Sequence, residues 1–82
     1  MKKTIVDVRT KAEFESGNVK GSINIPLNEL PNRLEELRQL THPLVLCCAS
    51  GARSANAVAY LQSNGINCEN GGSWVSVSFN MN

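Results

Sequence analysis

Leu44-Val45-Leu46-Cys47-Cys48-Ala49-Ser50-Gly51-Ala52-Arg53-Ser54 is the stretch on which the fold is decided. Leu44 to Cys47 read as a buried strand, and a helical pattern starts at Ser54. Between them lies a tight loop of small residues that opens with a cysteine and closes with an arginine. Short steps of this kind turn successive backbone N–H groups, here those of Ala49 to Ser54, toward one point. The result is an anion-binding nest, to which the following helix adds the positive end of its dipole. A thiol at the mouth of such a nest ionises more readily than a free one. The stretch reads as a nucleophilic cysteine, Cys48, facing an anionic substrate.

The flanking sequence supplies a platform for this loop. Upstream, Thr4-Ile5-Val6-Asp7-Val8 is a β-branched run with strand character. Thr10-Lys11-Ala12-Glu13 fits a capping box, and the short helix it opens is ended by Gly17. Ser22 to Ile25 form a second strand, stopped by Pro26. From Asn28 the pattern is helical, with Leu30, Leu34, Leu37 and Leu40 on one face and Pro31 in the first turn. Thr41-His42-Pro43 connects to the central strand. Downstream, Ser54 to Asn64 form an amphipathic helix whose expected buried face is Ala55, Val58, Ala59 and Leu61. Gly65 suits its C′ position. Ile66 to Glu69 read as a strand and Asn70-Gly71-Gly72 as a turn. The tail from Trp74 to Phe79 alternates with period two, as a strand or a packed turn. Strands alternating with helices imply a parallel sheet covered by helices, with a site at the carboxyl ends of the strands.

Composition narrows the function classes. A length of 82 residues suits one small domain, residues 1–82, with one modest core. A net charge of +1, without basic runs interleaved with aromatics, gives no pull toward nucleic acid. No stretch of about 20 apolar residues is present to span a bilayer. Met1-Lys2-Lys3 resembles the start of a leader, but Thr4-Ile5-Val6-Asp7 provides no apolar continuation. The 3 cysteines form no Cys-x-x-Cys pair and there is 1 histidine, so neither a disulfide framework nor a zinc site is expected. Free thiols point to a reducing, cytoplasmic setting.

Three stretches together resemble the rhodanese-like domain, in its small stand-alone bacterial form. Asp7-Val8-Arg9, Glu13-Phe14 and Gly17 to Leu27 are similar to the family pattern D-V-R-x-x-x-E-[FY]-x-x-G-H-I-x-G-A-x-N-I-P. Cys48 to Ser54 are similar to its C-x-x-G-x-R-S loop. Gly65 followed by Gly71-Gly72-Ser73-Trp74 resembles its terminal glycine pair and tryptophan. The chain departs from the pattern at Asn18, where the family usually has histidine, in its early start, and in the short segment from Gly65 to Gly71. The resemblance implies an α/β fold of three layers with a mainly parallel central sheet flanked by helices.

The adjacent cysteines give two spacings to Arg53. Cys48 gives C-x4-R, the rhodanese spacing, with Gly51 three residues on. Cys47 gives C-x5-R, the spacing of tyrosine phosphatases and of cell-cycle phosphatases that share the rhodanese fold. Strand alternation points the two side chains opposite ways and assigns Cys47 to the packed side of the sheet. Cys47 and Cys68 read as core residues. Arg53 has two readings, binding the anionic group of a donor or bracing the loop. Ser54 reads as a helix cap or loop hydroxyl. Asp7, Arg9 and Glu13 read as ion pairs beneath the loop, His42 as exposed, and Trp74 as a core anchor.

The resemblance implies sulfur transfer by double displacement. The Cys48 thiolate takes the outer sulfur of a small anionic donor such as thiosulfate. The resulting persulfide is cradled by the N–H groups of Ala49, Ser50, Gly51, Ala52, Arg53 and Ser54. A thiol, a protein cysteine or cyanide then accepts the sulfur. No metal or organic cofactor is implied, no nucleic acid or membrane partner is expected, and a monomer suffices. With Ala49, Ser50 and Ala52 neutral, a persulfide is the better expected donor. The alternatives are a non-catalytic binding module, or a phosphatase or arsenate reductase using Cys47.

Overall fold

The computed structural model describes residues 3–80. Met1 and Lys2 of the leader-like start lie outside the described residues. Strands β1 (Thr4–Asp7), β2 (Ile23–Asn24), β3 (Leu44–Cys48) and β4 (Cys68–Ser73) form one sheet in the order β2-β1-β3-β4. Every neighbouring pair is parallel. The helices α1 (Lys11–Ser16), α2 (Leu34–Gln39) and α3 (Ala52–Ser63) connect the strands, with a 3₁₀ segment at Leu27–Asn32, and α4 (Trp74–Asn80) follows the last strand. The expected parallel α/β architecture is the one observed.

Alternation along β3 sorts its side chains. Leu44, Leu46 and Cys48 join Val6, Val8, Ile25, Leu30, Leu37, Ala57, Leu61, Ile66 and Cys68 in the larger core. Cys47 points the other way, into a smaller core with Val19 and Val77, flanked by Ile5 and Trp74. The larger core lies under α3, α2 and the 3₁₀ segment, and α4 closes the opposite face.

Four segments differ from the sequence expectation, each for a physical reason. The helix expected from Asn28 is divided, because Pro31 cannot donate to the preceding turn. The chain closes as the 3₁₀ segment and restarts as α2 after Arg33, whose φ is −129°. Helix α3 starts at Ala52 rather than Ser54, and its buried face is Ser54, Ala57 and Leu61, not Ala55 and Ala59. Ser54 must face inward over the Cys48 sulfur, and i+3 and i+7 follow it. Asn70-Gly71-Gly72 is not a turn but the middle of β4, with a bulge that skips Gly71 between the Leu46↔Asn70 and Cys47↔Gly72 partners. The tail is helical: Val77 is buried and Trp74 half-buried at i, i+3 spacing, while Val75 and Phe79 of the alternating set are exposed.

The bulge needs glycine. A Cβ on Gly71 would stand 2.7 Å from Val45 Cγ1 and 2.8 Å from Val77 Cγ2. Val77 is packed in the smaller core and Val45 is half-buried, so Gly71→Ala is expected to destabilise by about 1–3 kcal/mol. Thermal unfolding of the variant, read as a Tm several degrees lower, checks this.

Candidate active site

Cys48 ends the central strand, and the chain turns at once into the small-residue loop. Gly51 takes φ +102°, a left-handed conformation suited to glycine, and caps α3. A Cβ there would also come within 3.3 Å of the Gly72 backbone. This turn directs the Gly51 N–H to Cys48 Sγ at 3.0 Å, and the first turn of α3 brings the Ser54 N–H to 3.4 Å. The Ala52 N–H goes instead to the Ser50 hydroxyl at 3.4 Å. The side chains of Ala49, Ser50 and Ala52 are exposed at the rim.

The sulfur lies beneath the loop rather than at its mouth, since Cys48 has 0% exposure. Burial pushes its thiol up, but hydrogen bonds from the Ser54 hydroxyl and from the N–H groups of Ser54, Gly51 and Ser50 outweigh it and bring the thiol down to about 7. Cys47 is equally buried and has no such donors. Burial pushes it up to about 12, with the Asp7 charge adding to the effect. Burial likewise raises Cys68, which contacts the Val58 carbonyl of α3 at 3.8 Å. All 3 thiols are free.

Two ion pairs support the loop. Asp7 and Arg9 are buried and joined by bonds of 3.0, 3.0 and 2.7 Å, and the Arg9 guanidinium also donates to the carbonyls of Glu13 and Gly17. Its face lies 4.7 Å from the Trp74 ring. Glu13 closes the expected capping box with Thr10, accepting from its N–H at 2.9 Å. The same carboxylate receives both ends of the Arg53 guanidinium, at 2.8 and 3.0 Å. These bonds hold Glu13 well below the usual carboxylate range, at about 2. The structure therefore seats Arg53 as a brace between α3 and α1. The charge on Cys48 raises Arg53 only after its bond to Glu13 and the opposing effect of burial.

Sequence reasoning missed Asn70. From β4 its side chain accepts from the Ser54 hydroxyl at 2.7 Å and from the Gly72 N–H at 2.9 Å, and it donates to the Gly51 carbonyl at 3.1 Å. Read as the first residue of a turn, Asn70 gave no sign of reaching the loop. Ser54 is inside α3 and not its cap, and its fully buried hydroxyl faces the sulfur. His42 is exposed, as expected, with its ring against the Leu37 carbonyl at 3.1 Å. Trp74 packs on Gly17 and Arg9 at the edge of the smaller core. Among the described residues no cluster of His, Cys, Asp and Glu is arranged to hold a metal, and no helix is long and apolar enough to cross a membrane.

The sequence model of the rhodanese-like domain matches residues 1–77. Protein YqhL of Bacillus subtilis is 41% identical over 64 residues, which cover 78% of this chain and 50% of that protein. A sulfurtransferase of Allochromatium vinosum is 38% identical over 61 residues, covering 74% of this chain and 56% of the relative. The chain thus spans about half the length of the curated relatives it matches. Among solved structures, a rhodanese-related protein from Thermoplasma volcanium superposes with a TM-score of 0.81 at 32% identity, covering 96% of this chain and 78% of that one.

The contrast between thiols is measurable. Iodoacetamide labelling followed peptide by peptide across pH is expected to modify Cys48 first, with a midpoint near 7. Cys47 and Cys68 are expected to stay unlabelled through neutral pH, because burial raises both. Labelling of Cys47 ahead of Cys48 would contradict the assignment of the ionisable thiol.

Proposed function

The chain belongs to the rhodanese-like domain family, and on that premise we propose that it is a sulfurtransferase whose nucleophile is Cys48. The observation that carries the reading is the short Gly51 N–H bond to the Cys48 sulfur, inside a loop that also supplies the Ser54 N–H. These donors already lie on the sulfur in the substrate-free protein, where they stabilise negative charge on it. The thiolate attacks the outer sulfur of a donor, a new S–S bond forms, and the donor's old bond to that sulfur breaks. Sulfite leaves thiosulfate, or a thiolate leaves a persulfide donor. An acceptor thiol then attacks the outer sulfur as its thiolate, and the S–S electron pair returns to Cys48. The covered sulfur implies that the loop shifts to admit the donor.

The donor is proposed to be a persulfide in preference to thiosulfate. Thiosulfate carries two charges, and the loop's one cation is already paired with Glu13. Ala49, Ser50 and Ala52 add none. A persulfide presents less charge and is served by backbone dipoles alone. A thiol or a protein cysteine is the proposed acceptor.

Mass spectrometry of the chain treated with thiosulfate or with a small-molecule persulfide tests both points. One added sulfur is expected on the Cys48 peptide, faster from the persulfide. Cys48→Ser is expected to abolish loading, while Cys47→Ala and Cys68→Ala retain most of it and lose stability as core cavities. Sulfur on Cys47 in the unaltered chain, or turnover surviving Cys48→Ser, would overturn the reading. Glu13→Gln keeps a capping-box side chain while removing the charge that occupies Arg53. It is expected to raise thiosulfate loading severalfold and leave persulfide loading little changed.

A further inference from the structure

The Ser54 hydroxyl has one proton and three acceptors within reach. Asn70 Oδ1 is at 2.7 Å, the Gly51 carbonyl at 3.2 Å and Cys48 Sγ at 3.5 Å. Only one of them is served at a time, and distance favours Asn70. The amide itself is locked: its oxygen accepts the Gly72 N–H and its nitrogen donates to the Gly51 carbonyl. The opposite flip would set an NH₂ group against the Gly72 N–H. Asn70 is exposed and reaches the sulfur only through Ser54.

We propose that Asn70 is a positioning residue for the Cys48 nucleophile: its side-chain oxygen competes with the sulfur for the Ser54 hydroxyl proton and holds it whenever the sulfur is uncharged. The inference rests on the reading of Cys48 as a sulfur-transfer nucleophile. In the thiol, S–H donates to Ser54 Oγ and the hydroxyl donates to Asn70. In the thiolate, the hydroxyl turns to the sulfur. Once a persulfide forms, the negative charge moves to the outer sulfur and the hydroxyl returns to Asn70. When an acceptor thiolate removes the outer sulfur, the electron pair comes back to Cys48 and the hydroxyl turns again. Asn70 gains and loses no proton in the cycle. Its effect is to keep the thiolate more basic than permanent hydroxyl donation would leave it. Nucleophilicity falls as a thiol's pKa falls, and attack is best served near ambient pH.

The charged and titratable groups around Cys48 stay the same throughout. Arg53 on α3 remains paired with Glu13 of α1, Asp7 with Arg9 at the end of β1, and Cys47 remains neutral.

The test is the pH titration of Cys48 in the full chain, read by peptide-resolved iodoacetamide alkylation, in Asn70→Ala, Asn70→Asp, Ser54→Ala and each Asn70 variant combined with Ser54→Ala. Removing the competing acceptor is expected to lower the midpoint by about half a pH unit, the size of one net hydrogen bond. Ser54→Ala is expected to raise it, and Asn70→Ala to have no further effect in that background. A merely bracing role predicts the opposite sign. Loss of the bonds to Gly51 and Gly72 would loosen the loop, weaken the N–H bonds to sulfur, and raise the midpoint. A raised or unchanged midpoint in Asn70→Ala overturns the proposal. Asn70→Asp retains the acceptor and is expected to restore or exceed the unaltered midpoint. If Asn70→Ala fails to fold, the rise in Asn70→Asp must shrink in the Ser54→Ala background, and an equal rise in both backgrounds overturns the proposal. Sulfur loading measured on the same samples separates the two readings. Loading without the midpoint shift removes the role of Asn70. The shift without loading leaves the coupling and removes sulfur transfer.

Discussion

The buried pair of Asp7 and Arg9 is the constraint from which the site geometry follows. Asp7 closes β1 with no exposed surface, and Arg9, two residues later, is nearly as buried. Burying two charges costs several kcal/mol per ion unless geometry and further hydrogen bonds compensate. Here both carboxylate oxygens are matched by the guanidinium, and its remaining donors go to the carbonyls of Glu13 within α1 and of Gly17 at its end. The ring of Trp74, which starts α4, covers the guanidinium face. One side chain therefore fixes a strand end, a short helix and the tail helix relative to each other. Removal of either partner would leave an uncompensated buried charge, so the pair is far harder to dispense with than an exposed bridge.

The aim of α1 sets the electrostatics of the loop. With α1 pinned from below, Glu13 stands where the Arg53 fork meets both of its oxygens. The same carboxylate caps its own helix through the Thr10 N–H. Arg53 is thereby spent on bracing, and what faces the sulfur is a set of N–H dipoles and one hydroxyl. Dipoles fixed by a glycine turn and a helix start favour a localised charge on sulfur without adding a strong field for distant dianions. On the proposed reading, this is why a donor of low charge suits the site.

Local chemistry was legible in the sequence, and long-range closure was not. The run from Leu44 to Cys48 declared a strand by its apolar residues, and alternation alone placed Cys47 and Cys48 on opposite faces. Thr10 and Glu13 declared a helix start through a bond that spans one turn. The partner of Arg53 lies 40 residues away and that of Ser54 16 residues away, and no pattern in either neighbourhood points across such gaps. Trp74 to Phe79 misled because serines at 76 and 78 alternate with valines. The tail has only Val77 and part of Trp74 to bury, and the guanidinium of Arg9 captures the latter. Asn70-Gly71-Gly72 misled because the glycines that permit a turn also permit a bulged strand beside β3.

Two adjacent cysteines show what makes a thiol usable in this fold. Both have no exposed surface, and both sit at the end of the same strand. Surface exposure therefore does not distinguish them. One face of the strand end is roofed by the glycine turn and the first turn of α3, which lay N–H groups and a hydroxyl on Cys48 and bring it to about 7. The other face meets Val19 and Val77, which lay nothing on Cys47 and leave it near 12. A single step along the chain exchanges an apolar environment for a dipolar one. Shifting the loop by one residue would move the spacing to Arg53 and also lift the Cys48 sulfur out of its donors. The short Cys48-to-Arg53 spacing and the identity of the ionisable thiol are thus one geometric fact, set by where β3 ends and where Gly51 turns.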